Sequence, residues 1–256
     1  MTNYKGDGAY SALYGAYDRL NSETDYAAWA DFICAAFEKY KPGLKSVVDL
    51  GCGTGPMTFE LHRRGYDMTA IDISTDMLTV ARDTALSKGI DDILWLCQDM
   101  RSFELYGTVD AAVCCLDGIN HLTGAADLAR CFSLVHNYLE PGGVFVFDVN
   151  TPYKFENFYG DNDYILEDDG VLCCWQNSYD RRRRICSFYL SVFEENSDGT
   201  WSRTDTVQRE KCYSEKQLTG ALARAGFEVE GVFGDYNFAP PTADCQRWYI
   251  AATAVK

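Results

Sequence analysis

The sequence lacks a long apolar run: no uncharged stretch reaches the roughly 18 residues of a membrane-spanning helix, so no membrane partner is expected. Its start lacks the apolar core of a signal peptide. Met1 to Asp7 is polar, which reads as a cytoplasmic chain. Positive charge is short, with 23 Lys and Arg against 38 Asp and Glu, a formal net charge of −15. Such a field repels phosphate backbones, so no DNA or other nucleic-acid partner is expected. The 11 cysteines include no C-x-x-C pair, which removes zinc-ribbon and thioredoxin-type readings and leaves no metal expected. Most should pack as small buried hydrophobes. Internal repeats and low-complexity tracts are missing too. What remains is an ordinary globular composition over 256 residues, 47% hydrophobic and 24% charged. That length suits one domain with an insertion, or two small domains, with a core that needs no disulfides.

The hydrophobic pattern divides the chain into three parts. Residues 1–45 read as an N-terminal helical cap. Its main helix runs from about Thr24 to Tyr40, with Ser22-x-x-Asp25 as capping box and Pro42-Gly43 as stop. From 46 to 150, strands alternate with helices: strands at 47–50, 68–71, 93–96, 111–115 and 144–149, helices at about 56–64, 74–88 and 128–139. That rhythm predicts an α/β fold with a doubly wound, mostly parallel sheet. Residues 151–213 break it with three strands, Val171–Tyr179, Ile185–Phe193 and Trp201–Tyr213, joined by hairpin turns. They read as an antiparallel insertion, either a substrate lid or a dimer contact. Residues 214–256 resume the first pattern. The capping box Ser214-x-x-Gln217 opens a helix ending at Gly226, and strands follow at 227–233 and 246–252. The one basic run, Arg181 to Arg184, reads as a solvated hairpin turn, with an anion patch as the alternative.

The strongest chemical signal is Asp49-Leu50-Gly51-Cys52-Gly53-Thr54-Gly55. It follows a strand and opens a helix, so its glycines let backbone approach a ligand beside exposed helix N-terminal amides. A dinucleotide fingerprint needs a third glycine where Pro56 stands. The pattern G-x-G-x-G after an acid suits S-adenosyl-L-methionine instead, whose zwitterionic end lies over the turn with its ammonium near Asp49. Asp72, directly after the second strand, is expected to accept both ribose hydroxyls; the plainer role of helix cap falls to Ser74. Asp99, after the third strand, is a candidate for the adenine amino group, with Met77 and Met100 against the ring.

With these residues the chain resembles the class I S-adenosylmethionine-dependent methyltransferases. The likeness rests on residues 49–55, Asp72, Asp99 and Leu139-Glu140-Pro141-Gly142-Gly143. It implies a Rossmann-like seven-stranded sheet of order 3-2-1-4-5-7-6 whose last strand is antiparallel, and S-adenosyl-L-homocysteine as product. Narrower features resemble small-molecule enzymes, especially amino-sugar N-methyltransferases and poorly characterised bacterial methyltransferases: Tyr10…Tyr17-Asp18, Cys115 to Leu122, and strands inserted after strand five. The D/N-P-P-Y signature of nucleic-acid amino methyltransferases is absent; Leu116-Asp117-Gly118-Ile119 stands in its place.

The expected cofactor contacts are Tyr10, Asp49, Gly51, Cys52, Gly53, Asp72, Ile73, Met77, Asp99, Met100 and Leu116. The expected catalytic residues are His121, Asp117 and Tyr17. His121 would be a base or a substrate orienter, or else a satisfied histidine at a helix entry. Asp117 would hold a cationic amine, or simply form a loop turn. Tyr10 and Tyr17 would close as a lid, or pack an N-terminal helix. The expected reaction is methyl transfer to N or O of a small molecule by in-line displacement. A protein or RNA methyltransferase, a nicotinamide-dependent oxidoreductase and a non-catalytic S-adenosylmethionine-binding protein are the alternatives. A homodimer through the inserted strands is a further expectation.

Overall fold

The computed structural model describes residues 24–168 and 170–256. Tyr10, Tyr17 and Ser22 lie outside the described residues. Helix α1 (Tyr26–Tyr40) is capped by Asp25, whose carboxylate accepts the Ala28 N–H. Its apolar face buries Trp29, Phe32, Ile33 and Phe37.

The alternating segment then lays down β1 (Ser46–Leu50), α2 (Pro56–Arg63), β2 (Asp67–Asp72), α3 (Thr75–Ser87), β3 (Leu94–Cys97), β4 (Val109–Cys114), α4 (Ala125–Tyr138) and β5 (Leu139–Asn150). Strand β5 starts earlier than expected. Leu139 pairs with Val109, and the register shifts before Ala111 meets Val144. The turn at Pro141-Gly142-Gly143 therefore sits inside an irregular strand rather than before it.

After β5, a short helical stretch at 152–159 leads into β6 (Asp163–Asp168), β7 (Val171–Asp180), β8 (Ile185–Glu195) and β9 (Trp201–Lys211). These form a four-stranded antiparallel sheet in sequence order. Three strands were expected; the fourth, β6, is an edge strand with acids at both ends and Ile165 exposed. An edge needs only one apolar face, so its pattern is weak. The chain closes with α5 (Glu215–Ala225), capped by the expected Ser214/Gln217 box, then β10 (Phe227–Phe233) and β11 (Arg247–Ala254).

The larger sheet has the order β10-β11-β5-β4-β1-β2-β3. Strands β1 to β5 are parallel, and β11 runs antiparallel to both β5 and β10. This is the expected order and the expected single reversal. Apolar layers cover both faces. Leu128, Phe132, Leu218 and Leu222 pack on one side with Phe145 and Phe147. Trp29, Ile33, Met57, Leu61 and Leu78 pack on the other. Covering both faces explains why Val144 to Val149 shows almost no alternation. All 11 cysteines are unpaired. Cys52, Cys114, Cys115, Cys131, Cys173, Cys186 and Cys212 are buried, as their composition suggested. Among the described residues no helix is long and apolar enough to cross a membrane, and no cluster of ligating side chains could hold a metal ion.

Candidate active site

A cavity of about 250 Å³ opens at the C-terminal ends of β1 to β4, where open α/β sheets bind ligands. Its floor is the turn between β1 and α2. Gly51, Gly53 and Gly55 all have positive φ there (70°, 55° and 89°). An added Cβ on Gly55 would come within 2.9 Å of the Trp95 ring, and one on Gly51 within 3.3 Å of Met100. Glycine is thus required twice over, by backbone conformation and by space.

Asp49 ends β1 under this turn and is 1% exposed. The Thr58 hydroxyl donates to its Oδ2 at 2.6 Å. Burial pushes the Asp49 carboxyl up to about 7, against the Thr58 hydrogen bond and with the Asp72 charge adding to the rise. A cationic ligand group beside it would favour the ionised form. Asp72, at the end of β2, accepts the Gly53 N–H at 2.9 Å and the Ser74 N–H at 2.8 Å. It ties the glycine turn to the start of α3. Burial raises its proton affinity, and those backbone donors oppose the rise. A carboxylate has about four acceptor positions, so Asp72 retains room for ligand hydroxyls.

The far wall is apolar. Ile73 is 60% exposed at the rim, and Met77 and Met100 join it in lining the cavity. Asp99 also lines it, but holds Arg101 through its Nε at 2.9 Å from both carboxylate oxygens. The Arg101 guanidinium keeps Asp99 below the usual carboxylate range. Neither this pair nor the neighbouring Gln98, Pro56, Met57 and Tyr26 on the wall was expected. Only the position of Gln98 beside Asp99 hinted at it.

Beyond β4, Leu116 and Asp117 have φ of 54° and 59°. Two successive non-glycine residues in this region cost about 1–3 kcal/mol each. A short 3-10 turn, Gly118–His121, follows. Leu116, Gly118, His121 and Leu122 line the cavity. Burial pushes the His121 imidazole below its ordinary value, against the pull of the Asp117 charge. The neutral ring is therefore the favoured form near pH 7.

Every described residue expected to contact a cofactor lines this one cavity, and so does His121. Asp117 does not. Its carboxylate turns to the Arg247 guanidinium, which also meets Asp148. Burial would raise the Asp117 proton affinity, but Arg247, and Lys154 behind it, hold it below the usual range.

Residues 47–143 match the family described as the methyltransferase domain. A putative methyltransferase of Bacillus subtilis, YqeM, is 28% identical over 248 residues, 96% of this chain and 98% of its own. A dTDP-3-amino-3,4,6-trideoxy-alpha-D-glucopyranose N,N-dimethyltransferase of Streptomyces venezuelae is 31% identical over 146 residues, 56% of each chain. Among solved structures, an S-adenosylmethionine-dependent methyltransferase of Clostridium acetobutylicum superposes with a TM-score of 0.87 at 28% identity. That match covers 96% of this chain and 99% of the other. The chain thus carries a methyltransferase domain at 47–143 and is similar over nearly its whole length to a solved S-adenosylmethionine-dependent methyltransferase.

Proposed function

We propose that the protein moves a methyl group from S-adenosylmethionine to a nucleophilic nitrogen or oxygen of a small molecule. The observation that carries this reading is the gathering of the glycine turn, Asp49, Asp72 and His121 around one cavity. In it, Asp49 receives the ammonium of the methionine moiety and Asp72 accepts the ribose hydroxyls. Ile73, Met77 and Met100 sandwich the adenine, and Asp99 accepts from its amino group beside Arg101. The cofactor supplies an electrophilic methyl carbon on a sulfonium leaving group. The protein's share is alignment, worth roughly 7–11 kcal/mol in effective-molarity terms, and exclusion of water. His121, held neutral by burial, orients the acceptor and takes its proton where one must leave.

A small acceptor is supported by the net charge of −15, which disfavours nucleic acid. It is also supported by a relative whose name describes dimethylation of an amino sugar. The test supplies S-adenosylmethionine labelled at the methyl carbon to the protein with a deproteinised small-molecule extract. Label should enter the small-molecule fraction, and His121→Ala should slow transfer by about 10²–10⁴-fold if the acceptor needs a base. Label entering only added protein or RNA would overturn the small-molecule reading. Transfer by His121→Ala at the wild-type rate across pH would remove the histidine's role.

A further inference from the structure

Arg247 sits on the first residue of β11, and among the described residues its guanidinium joins segments far apart in sequence. Its Nη1 reaches Asp117 Oδ1, 130 residues away, and Asp148 Oδ2, 99 residues away. Its guanidinium carbon lies 5.7 Å from the Trp29 ring centroid. The Asp117 N–H donates to the same Asp148 oxygen at 3.1 Å. The side chains of Asp117 and Arg247 are 19% and 18% exposed, and that of Asp148 is fully buried. Among the described residues, Asp148 Oδ1 has no hydrogen-bond partner.

A buried ion cluster of this kind is a poor device for stability. Desolvation of three charges cancels much of their attraction, and apolar replacements of similar volume often hold a fold as well or better. What the cluster does hold is the left-handed pair Leu116 and Asp117. That pair turns the chain from β4 into the Gly118–His121 turn and so aims Leu116 and His121 at the cavity. The rest of the turn is fixed in the same way. Asn120 Nδ2 donates to the Lys211 carbonyl at 2.8 Å, and Asn120 Oδ1 accepts the Asn150 N–H at 3.0 Å.

We propose that Arg247 is a positioning residue for methyl transfer: through Asp117 and Asp148 it clamps the strained 116–117 pair and thereby holds Leu116 and His121 on the cavity wall. The inference rests on the methyl-transfer reading only for the meaning of that wall. The clamp itself can be measured without an acceptor.

The experiment is amide hydrogen exchange by mass spectrometry on the full chain, saturated with S-adenosylhomocysteine, with calorimetric affinity measured in parallel. Wild type is compared with Arg247→Met, Arg247→Lys and Asp117→Asn. In Arg247→Met, exchange across 115–122 should quicken about tenfold or more. Protection at 46–50 and 56–63 should hold, and S-adenosylhomocysteine affinity should stay within about threefold. Because one guanidinium nitrogen makes both contacts, a lysine can stand in for it, and Arg247→Lys should stay near wild type. Asp117→Asn keeps the side-chain shape and serves if Arg247→Met fails to fold; it should loosen the same segment.

The histidine adds a spectroscopic readout. Burial, the Asp117 charge and a backbone hydrogen bond at Arg209 set its proton affinity. Arg247 and Lys154 act on Asp117, and Asp148 and Glu210 stand in the field of that Asp117–Arg247 pair. Asp49, Asp72, Asp99 and Arg101 lie on the cavity wall. Followed by NMR, the His121 titration should move up in Arg247→Met, which bares a carboxylate, and down in Asp117→Asn, each by about half a pH unit or more. Unchanged exchange at 115–122, equal loosening of the whole chain, or shifts of the same sign in the two variants would overturn the clamp. Failure of the wild-type protein to bind S-adenosylhomocysteine would instead overturn the functional reading. The exchange comparison would then still be made on the unliganded chain.

Discussion

At the scale of single residues, Asp72 carries more than its sequence position suggested. It was expected to face the ribose, and it also pins Gly53 and Ser74 through their amides. In the proposed site, ligand and turn would share one carboxylate. Asp72→Ala should weaken S-adenosylhomocysteine binding by about 10–100-fold, the loss of one or two charge-assisted hydrogen bonds at about 1.5–3 kcal/mol. Calorimetry at full saturation checks this, and undiminished affinity would remove Asp72 from the cofactor site. The placement of Asp49, Asp72 and the glycines was legible because it follows from position along the chain: an acid at a strand's end, a glycine where φ is positive. Arg247 was not legible. Its partners lie 130 and 99 residues away, and nothing local marks an arginine near the C-terminus as a clamp. Asp117 was singled out, yet its geometry was hidden for the same reason.

At the scale of elements, the inserted sheet meets the main one through buried polar groups. Glu210 on β9 accepts from Asn150 Nδ2 at 2.9 Å, and Lys154 Nζ donates to Asn150 Oδ1 at 2.9 Å. Burial pushes the Glu210 carboxyl up to about 8, the Asp117 charge adds to the rise, and Asn150 opposes it. A carboxyl with a raised folded pKa binds its proton more tightly in the native state. Its contribution to stability is full below the unfolded value near 4.5 and is lost as pH rises through about 8. The melting temperature of the wild type should therefore fall between about pH 4.5 and about pH 8. Glu210→Gln, isosteric and uncharged, should fall less, by roughly 2–4 °C for each kcal/mol relieved. Equal falls in the two proteins would show that Glu210 is not protonated in the fold. The strands of the insertion were legible where they alternate over a buried face, as β7 and β8 do. Strand β6 escaped because its alternation is brief, and the 152–159 helical stretch because it holds only two short turns.

At the scale of the whole molecule, strand–helix rhythm fixed the architecture from 46 onward, since a sheet covered on both faces needs apolar strands spaced by helices. The position of β11 between β5 and β10 was implied by family likeness, because strand order is invisible to periodicity. The central claim is that the crevice at the strand ends is shaped for a methionine-derived nucleoside. A crystal structure of the protein with S-adenosylhomocysteine tests it most directly. The account predicts the sugar hydroxyls on Asp72, the amino-acid end over Gly51 to Gly53 beside Asp49, and the sulfur facing the side that His121 lines. A ligand bound elsewhere, or a nucleoside whose sugar makes no contact with Asp72, would contradict it.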